Sequence, residues 1–278
     1  MSAARHWPAP AKLNLFLHIT GRRADGYHDL QTVFQLIDLC DDIHIEVRDD
    51  GRIERPAGPG EVPPEADLVV RAARALKCAA GSPLGANLRV AKRIPMGGGL
   101  GGGSSDAATV LLALNRLWEC GLSQDELAAI GVTLGADVPV FVRGRSAWAE
   151  GRGERLTPVE LPRRYFVVVH PKVHVPTAAL FQAPELTRNS PPITMRAFLE
   201  TGGRNDFEPV VRTRYPEVAR ALDWLGQFAP ARLTGTGSCI FAPCAGVDEA
   251  RDILDRVPAC WHGVVARGLD VSPVMADL

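Results

Sequence analysis

The sequence is most unusual in one segment, which reads Pro95-Met96-Gly97-Gly98-Gly99-Leu100-Gly101-Gly102-Gly103-Ser104-Ser105-Asp106. Six of the seven residues from 97 to 103 are glycine, so almost every Cβ atom is missing and the backbone N–H groups can approach a bulky anion. The apolar residues that follow, from Ala107 to Trp118, predict a helix with Ser104 or Ser105 as its N-cap. A glycine loop that leads into a helix N-terminus is typical of a phosphate-binding site.

Three other interpretations of this loop fit less well. A P-loop requires Lys-Ser/Thr after its last glycine, whereas Ser104-Ser105 follows here. The dinucleotide pattern matches Gly97, Gly99 and Gly102, but it also requires a strand after the helix, and residues 123–134 have a second helical pattern instead. A flexible linker is rarely followed by so regular an apolar helix. The loop is therefore interpreted as a triphosphate-binding loop of a non-Walker type.

Composition narrows the class of protein. The 278 residues carry 31 basic and 32 acidic side chains, and a net charge of −1 argues against nucleic acid or an anionic membrane as a partner. The six cysteines form no C-x-x-C pair, so neither a zinc site nor a disulfide framework is expected, and a reduced, cytoplasmic location is predicted. No signal peptide is predicted, because the N-terminus lacks an apolar core. No membrane span is predicted, because no apolar run reaches about 18 residues.

Two short segments near the start carry polar groups that suit a binding site. Residues 13–19 alternate as in a strand, which places Lys12 and Asn14 on one face. A solvated strand end is the alternative interpretation of Lys12. Tyr27 and His28 follow a turn signal and are either a stacking and hydrogen-bonding pair or two surface aromatics.

Carboxylates and a second small-residue loop suggest further parts of a site. Asp137 lies in a mostly apolar run, where a carboxylate is rare unless it is paired or functional, and a helix cap is the alternative. The segment Leu233–Ser238 suits a site closed from two sides, or else a tight turn. Asp38, Asp41 and Asp42 are interpreted as solvated turn acids rather than metal ligands, and no metal site is assigned.

Three segments in order resemble the three motifs of the GHMP kinase superfamily. They are Pro10–Leu15, Pro95–Ala108 and Leu233–Ser238. The segments Gly21–His28 and Gly135–Pro139 are similar to one branch of that superfamily. In that branch ATP phosphorylates the 2-hydroxyl of a CDP-linked methylerythritol in the non-mevalonate route to isoprenoids. The resemblance covers nearly the whole chain.

The resemblance implies a two-domain α+β fold with ATP and substrate in the cleft between the domains. Residues 1–160 would form an N-terminal domain like domain 2 of ribosomal protein S5, which includes the glycine loop. Residues 161–278 would form a ferredoxin-like C-terminal domain. Small molecules are the only partners expected, and the sequence leaves the oligomeric state open.

The resemblance also assigns roles to residues. Asp137 would accept the proton of the 2-hydroxyl or orient that group, and Lys12 would lie near both Asp137 and the γ-phosphate. ATP binding is assigned to Asp67, Leu68, Lys92 and the loop residues Pro95, Met96, Gly97, Gly98, Gly99, Leu100, Gly101, Gly102, Gly103, Ser104 and Ser105. Substrate binding is assigned to Asn14, Tyr27, His28, Phe34, Thr177 and Phe181. Mg²⁺ is expected near the hydroxyl of Ser105, but no carboxylate ligand for it is identified.

Three alternatives to this function are weighed. A kinase for another small alcohol would not need the base-stacking pair Tyr27-His28. A decarboxylase that shares the fold would release CO₂ after phosphorylating its substrate. A nucleotide-binding module without chemistry would not need Lys12 and Asp137.

Overall fold

The computed structural model describes residues 5–55, 63 and 65–278. The strands are β1 (Arg5–Arg22), β2 (His28–Arg48), β3 (Ile53–Glu54), β4 (Gly85–Ala91), β5 (Ala147–Gly151), β6 (Arg155–Pro158), β7 (Tyr165–His170), β8 (Arg232–Leu233), β9 (Ile240–Cys244) and β10 (His262–Leu269). The helices are α1 (Leu68–Ala80), α2 (Gly102–Leu117), α3 (Gln124–Leu134), α4 (Val138–Arg143), α5 (Thr177–Phe181), α6 (Met195–Thr201), α7 (Glu208–Arg214), α8 (Pro216–Leu225) and α9 (Val247–Leu254), with a short 3₁₀ helix at Pro273–Ala276. This mixture of helices and strands confirms the predicted α+β class.

Strand β2 is the centre of the sheet. It pairs antiparallel with β1, β4 and β5, and its residues Leu36 and Ile37 join it to β10. From β10 the sheet continues through β7 and β9 to β8. The sequence predicts two strands, at 31–39 and 43–47, whereas β2 is continuous. A register shift opposite Pro10 and Ala11 explains the difference, because it lets the long strand bend without ending.

Two hydrophobic cores lie along this sheet. Helices α1 to α4 cover the first core, in which the middle of α2 is almost completely buried. Helices α5, α7, α8 and α9 cover the second core with strands β7 and β9. Strand β1 contributes to both, since Trp7 is part of the first core and Leu17 of the second. Near the other end of the chain, Val274 returns to the first core. The predicted boundary between residues 160 and 161 stays a prediction.

None of the helices in the described part of the chain combines the length and the apolar character needed to cross a bilayer.

Candidate active site

A cleft of about 1060 Å³ lies between the glycine loop and elements of the second half of the chain. Twelve of the residues predicted to form the site line it together. They are Lys12, Asn14, Tyr27, His28, Phe34, Gly97, Gly99, Gly101, Ser104, Asp137, Thr177 and Phe181. The structure therefore brings together residues that are up to 169 positions apart in the sequence (Lys12 to Phe181).

The glycine loop takes a conformation that requires glycine at alternate positions. Gly97, Gly99 and Gly101 have φ angles of 68°, 76° and 73°, which side chains rarely allow. A Cβ atom on Gly99 would lie 2.2 Å from the carbonyl oxygen of Thr234. The amide of Cys239 donates a hydrogen bond of 3.1 Å to the carbonyl of Gly98. The second small-residue loop therefore holds the glycine loop from one side.

Helix α2 begins earlier than the sequence predicts. It starts at Gly102 with Gly101 as its N-cap, so Ser104 and Ser105 lie inside the first turn and the predicted serine cap is wrong. The left-handed conformation of Gly101 lets the chain enter the helix directly from the loop. No described side chain caps this end. The N–H group of Ser105 donates to the carbonyl of Gly101 at 2.9 Å, whereas those of Gly102, Gly103 and Ser104 have no intrahelical acceptor. These amides and the helix dipole favour an anion at this point.

The remaining loop residues do not line the cleft. Met96 is exposed, whereas the side chains of Leu100 and Ser105 are buried. The hydroxyl of Ser105 has no hydrogen-bond partner among the described residues. The hydroxyl-bearing residue of this loop that lines the cleft is Ser104.

Lys12 is buried at the meeting point of the loop and the cleft. Its side chain is only 4% exposed, so the solvated strand end is the wrong interpretation. Its Nζ atom donates to Asn14 Oδ1 at 2.6 Å and to the carbonyl of Gly99 at 3.0 Å. The same Nζ lies 3.3 Å from Asp137 Oδ2. One ammonium group therefore connects the phosphate loop to the carboxylate.

Asp137 presents its carboxylate to the cleft. The residue precedes α4 in the N-cap position, but its side chain makes no cap hydrogen bond to the described chain, which argues against the capping interpretation. The side chain is 33% exposed. Among the described residues that line the cleft, Asp137 is the only carboxylate.

The other end of the cleft has an aromatic stack. The rings of His28 and Phe181 are stacked, with centroids 5.1 Å apart. Burial, followed by the charges of Arg188 and Arg22, lowers the pKa of His28 and thereby favours the neutral ring. Its Nε2 atom is buried without a partner in the part of the chain that the structure describes. A neutral ring with a free nitrogen suits a hydrogen bond to a planar ligand.

Three arginines in the cleft were missed by the sequence analysis. Arg22, Arg152 and Arg188 line the cleft, and the guanidinium of Arg152 lies over the ring of Tyr27, 4.9 Å from its centroid. With Lys12 they give four full positive charges against one carboxylate, a balance that favours a polyanionic ligand. Of these three arginines, only Arg22 lies in a segment, Gly21–His28, that the sequence analysis assigned to a motif.

The three residues predicted for the adenosine side lie outside the cleft, next to the glycine loop. Asp67 caps α1 by accepting from the amide of Val69 at 2.9 Å. A Cβ atom on Gly103 would contact Leu68, and one on Gly102 would lie 3.3 Å from Lys92 Nζ. Their role in ATP binding stays a prediction.

Asp41 is the main error of the sequence analysis in this region. Strand β2 runs through it, so no turn exists there, and Asp41 is completely buried. Its carboxylate accepts from the amides of Arg93 and Ile94, at 2.6 and 2.8 Å, and from Lys92. Asp41 thereby fixes the backbone that leads into the glycine loop.

Asp106 gives a prediction about stability and pH. Burial raises the pKa of its carboxyl to about 7, although the charge of Lys92 lowers it. Between about pH 4 and pH 7, this carboxyl is protonated in the folded chain and ionised in the unfolded chain. Its contribution to the free energy of unfolding is therefore fully present at about pH 4 and is lost as the pH rises to about 7. Asp106→Asn removes the titrating group and with it this loss. We therefore expect the free energy of unfolding of the variant, relative to that of the wild type, to rise by on the order of 1 kcal/mol between pH 5 and pH 8.

Urea unfolding of both proteins at pH 5 and pH 8 measures this difference. Asp125→Asn, at an exposed position on α3, is the matched control and should show no such change. Equal pH dependence of Asp106→Asn and the wild type would contradict the prediction.

Comparisons with known proteins agree with this fold. Residues 67–145 match the family model for the GHMP kinases N terminal domain, and residues 185–263 match that for GHMP kinases C terminal. The fold resembles a mevalonate kinase from Methanococcus jannaschii with a TM-score of 0.71 at 16% identity, over 96% of this chain and 99% of that chain. The chain therefore belongs to the GHMP kinase family, and the predicted two-domain fold is confirmed.

More similar relatives identify the branch. The 4-diphosphocytidyl-2-C-methyl-D-erythritol kinases of Alkalilimnicola ehrlichii and Thiobacillus denitrificans are each 59% identical to this chain. The matches cover 100% and 96% of this chain, respectively, and 96% of each relative. A crystal structure of 4-(cytidine 5'-diphospho)-2C-methyl-D-erythritol kinase matches with a TM-score of 0.83 and 36% identity, over 95% of this chain and 99% of that chain. Within the family the chain groups with the 4-diphosphocytidyl-2-C-methyl-D-erythritol kinases.

Proposed function

We infer that this chain transfers the γ-phosphoryl group of ATP to the 2-hydroxyl of 4-diphosphocytidyl-2-C-methyl-D-erythritol, giving the 2-phosphate and ADP. The observation that carries this inference is the position of Lys12, whose Nζ contacts both the glycine loop and Asp137 inside one cleft. The relatives with 59% identity over nearly the whole chain bear the name of this kinase.

The glycine loop would hold the triphosphate. The free amides at the start of α2 point their partial positive charge toward the phosphates, and Lys12 adds a full charge where the γ-phosphoryl group would lie. Phosphoryl transfer relies mainly on positioning and on neutralising charge. A rigid loop with a buried ammonium group supplies both.

Asp137 would act on the attacking hydroxyl. Its carboxylate would accept the proton of the 2-hydroxyl, or orient that group, as the oxygen forms a bond to the γ-phosphorus. The bond between that phosphorus and the bridging oxygen of ADP breaks in the same transfer. The ammonium group of Lys12, 3.3 Å from the carboxylate, would place a positive charge beside the negative charge that develops in the transfer.

The cytidine would bind at the stack of His28 and Phe181. A pyrimidine offers a face for stacking and an edge for the unpartnered Nε2 of His28. Tyr27, exposed under the guanidinium of Arg152, would close the other face. Arg22, Arg152 and Arg188 would offset the charge of the diphosphate.

Mg²⁺ would be held mainly by phosphate oxygens of ATP, as is usual for this ion. The oxygen-bearing side chains at this end of the cleft, those of Ser104 and Asp137, fit a hard cation. We propose Ser104 in place of Ser105, since Ser104 lines the cleft and Ser105 is buried. The ion would neutralise negative charge on the phosphates.

Substrate-dependent release of ADP tests the function. The purified chain is incubated with ATP, Mg²⁺ and 4-diphosphocytidyl-2-C-methyl-D-erythritol, and in parallel with galactose, homoserine or mevalonate. We expect turnover with the CDP-alcohol and none with the other three. Turnover with another alcohol would overturn the substrate, CO₂ release would indicate a decarboxylase, and ATP binding without any turnover would indicate a module without chemistry.

Phe181 gives a prediction about substrate affinity. We expect Phe181→Ala to raise the KM for the CDP-alcohol about tenfold and to leave the KM for ATP unchanged, because one stacked base contributes ~1–3 kcal/mol. Phe228→Ala is a suitable control, since Phe228 packs against Trp224 away from the cleft. Equal effects of Phe181→Ala on both KM values would contradict the placement of the cytidine.

A further inference from the structure

We propose a binding site for a divalent transition-metal ion, for which Zn²⁺ is a suitable probe, formed by His6, Asp42 and His44 on the outer face of the sheet. His6 of β1 stands directly opposite His44 of β2 in the antiparallel register. Asp42 lies two residues before His44, and side chains two positions apart share a face. The three side chains are thereby brought together by the strand pairing itself.

The distances between the ligand atoms suit a tetrahedral metal site. Asp42 Oδ2 lies 3.1 Å from His6 Nδ1 and 3.3 Å from His44 Nε2, and the three ligand atoms all lie within 4.8 Å of one another. Ligands at ~2.0–2.1 Å from zinc in a tetrahedron are separated by about 3.3–3.4 Å. Only small side-chain rotations would be needed to bring the three atoms onto one ion.

The chemistry of the donors selects the class of cation. Two imidazoles and one carboxylate suit Zn²⁺, Ni²⁺ or Cu²⁺, whereas Mg²⁺ and Ca²⁺ prefer oxygen ligands. Asp42 supplies a negative charge that offsets part of the charge of the ion. His6 is well exposed, with a side chain 63% exposed, and Asp42 and His44 are partly exposed, so an ion could enter from solvent.

The position of the site suggests what the ion would do. Among the described strands, β1 pairs with β2, and this site is close to the start of β1. An ion that binds both His6 and His44 would link the start of β1 to β2, the central strand of the sheet. Lys12 and the cleft lie further along β1, so the expected effect is on thermal stability and not on turnover.

Zinc binding to the full-length chain, without an affinity tag and after chelator treatment, tests the proposal. We expect one Zn²⁺ per chain by calorimetry, and a rise in Tm of about 5 °C at a free concentration 100 times Kd. Mg²⁺ at the same concentration should leave Tm unchanged. No zinc binding by the wild type would overturn the proposal.

Variants locate the site. His6→Gln and His44→Gln should each weaken binding about tenfold or more, and Asp42→Asn should also weaken it. The matched control is His262→Gln, which changes one member of a second cross-strand pair, His262 and His170. Loss of binding in His262→Gln, or unchanged binding in both His6→Gln and Asp42→Asn, would overturn the proposal. Because His6 is well exposed, its variant keeps the test valid even if His44→Gln fails to fold.

Discussion

Asp137→Asn should lower kcat for the CDP-alcohol by about 10²–10⁴-fold while ATP still binds. The amide keeps the size of the carboxylate but cannot accept the proton of the attacking hydroxyl. Because Asp137 makes no cap hydrogen bond to the described chain, and because the amide oxygen of Asn can still accept from Lys12, we expect the Tm to change little. Steady-state kinetics, nucleotide binding and thermal unfolding of the same preparation measure these three quantities.

The control and the size of the loss in kcat separate the two roles open to Asp137. Asp125→Asn, at the exposed start of α3, should behave as the wild type. Loss of a general base would lower kcat toward the ~10⁴-fold end of the expected range. Loss of a group that only orients the hydroxyl would lower kcat less, because the amide oxygen of Asn can still accept a hydrogen bond from that hydroxyl. A kcat within threefold of the wild type would exclude both roles.

Lys12→Met is the second substitution with a large expected effect, and it should lower kcat by about 10²–10³-fold. The variant loses the charge that faces the γ-phosphoryl group. It also leaves Asn14 Oδ1 without its donor and leaves the carbonyl of Gly99 with the longer, 3.4 Å hydrogen bond from Thr234 Oγ1, and an unpaired buried group costs stability, ~1–3 kcal/mol. Both kcat and the free energy of unfolding are therefore expected to fall, in contrast to Asp137→Asn.

A second variant distinguishes lost chemistry from lost structure. Asn14→Ala removes one partner of the same ammonium group but keeps its charge, so it should lower stability with a smaller loss of kcat. If Lys12→Met and Asn14→Ala lower kcat equally, Lys12 acts only by holding the loop in place. Binding of ATP to both variants shows whether the loop remains formed.

The sequence predicts the parts of this protein that depend on local patterns. The glycine loop, the helix that follows it and the strand near Lys12 are visible as glycine content, helical spacing and alternation. The start of α2 is missed because the serines favour a cap, while the left-handed turn at Gly101 lies against Phe141 and Lys12, which are distant in the sequence. Local preference is overridden there by packing.

Groups brought together by distant segments are harder to predict. That Lys12 meets Asp137 was expected from the resemblance to a family and not from the spacing of the residues. The buried carboxylate of Asp41 looks like a turn acid until its partners, the amides of Arg93 and Ile94, are known. Arg152 and Arg188 carry no local signal at all, because nothing near them in the sequence marks the cleft they line.

The passage of β1 through both cores has a consequence for folding during synthesis. The amide of Leu17 donates to the carbonyl of Arg204, and the amide of Ile19 donates to the carboxylate of Asp206. At ~5–20 residues per second, a ribosome needs roughly 10–40 s to proceed from the first of these strand residues to its partners. During that time the apolar side chains of Leu17 and Ile19 lack the native contacts that the second half of the chain supplies. The nascent first half is therefore a natural client for chaperones until the second half has emerged.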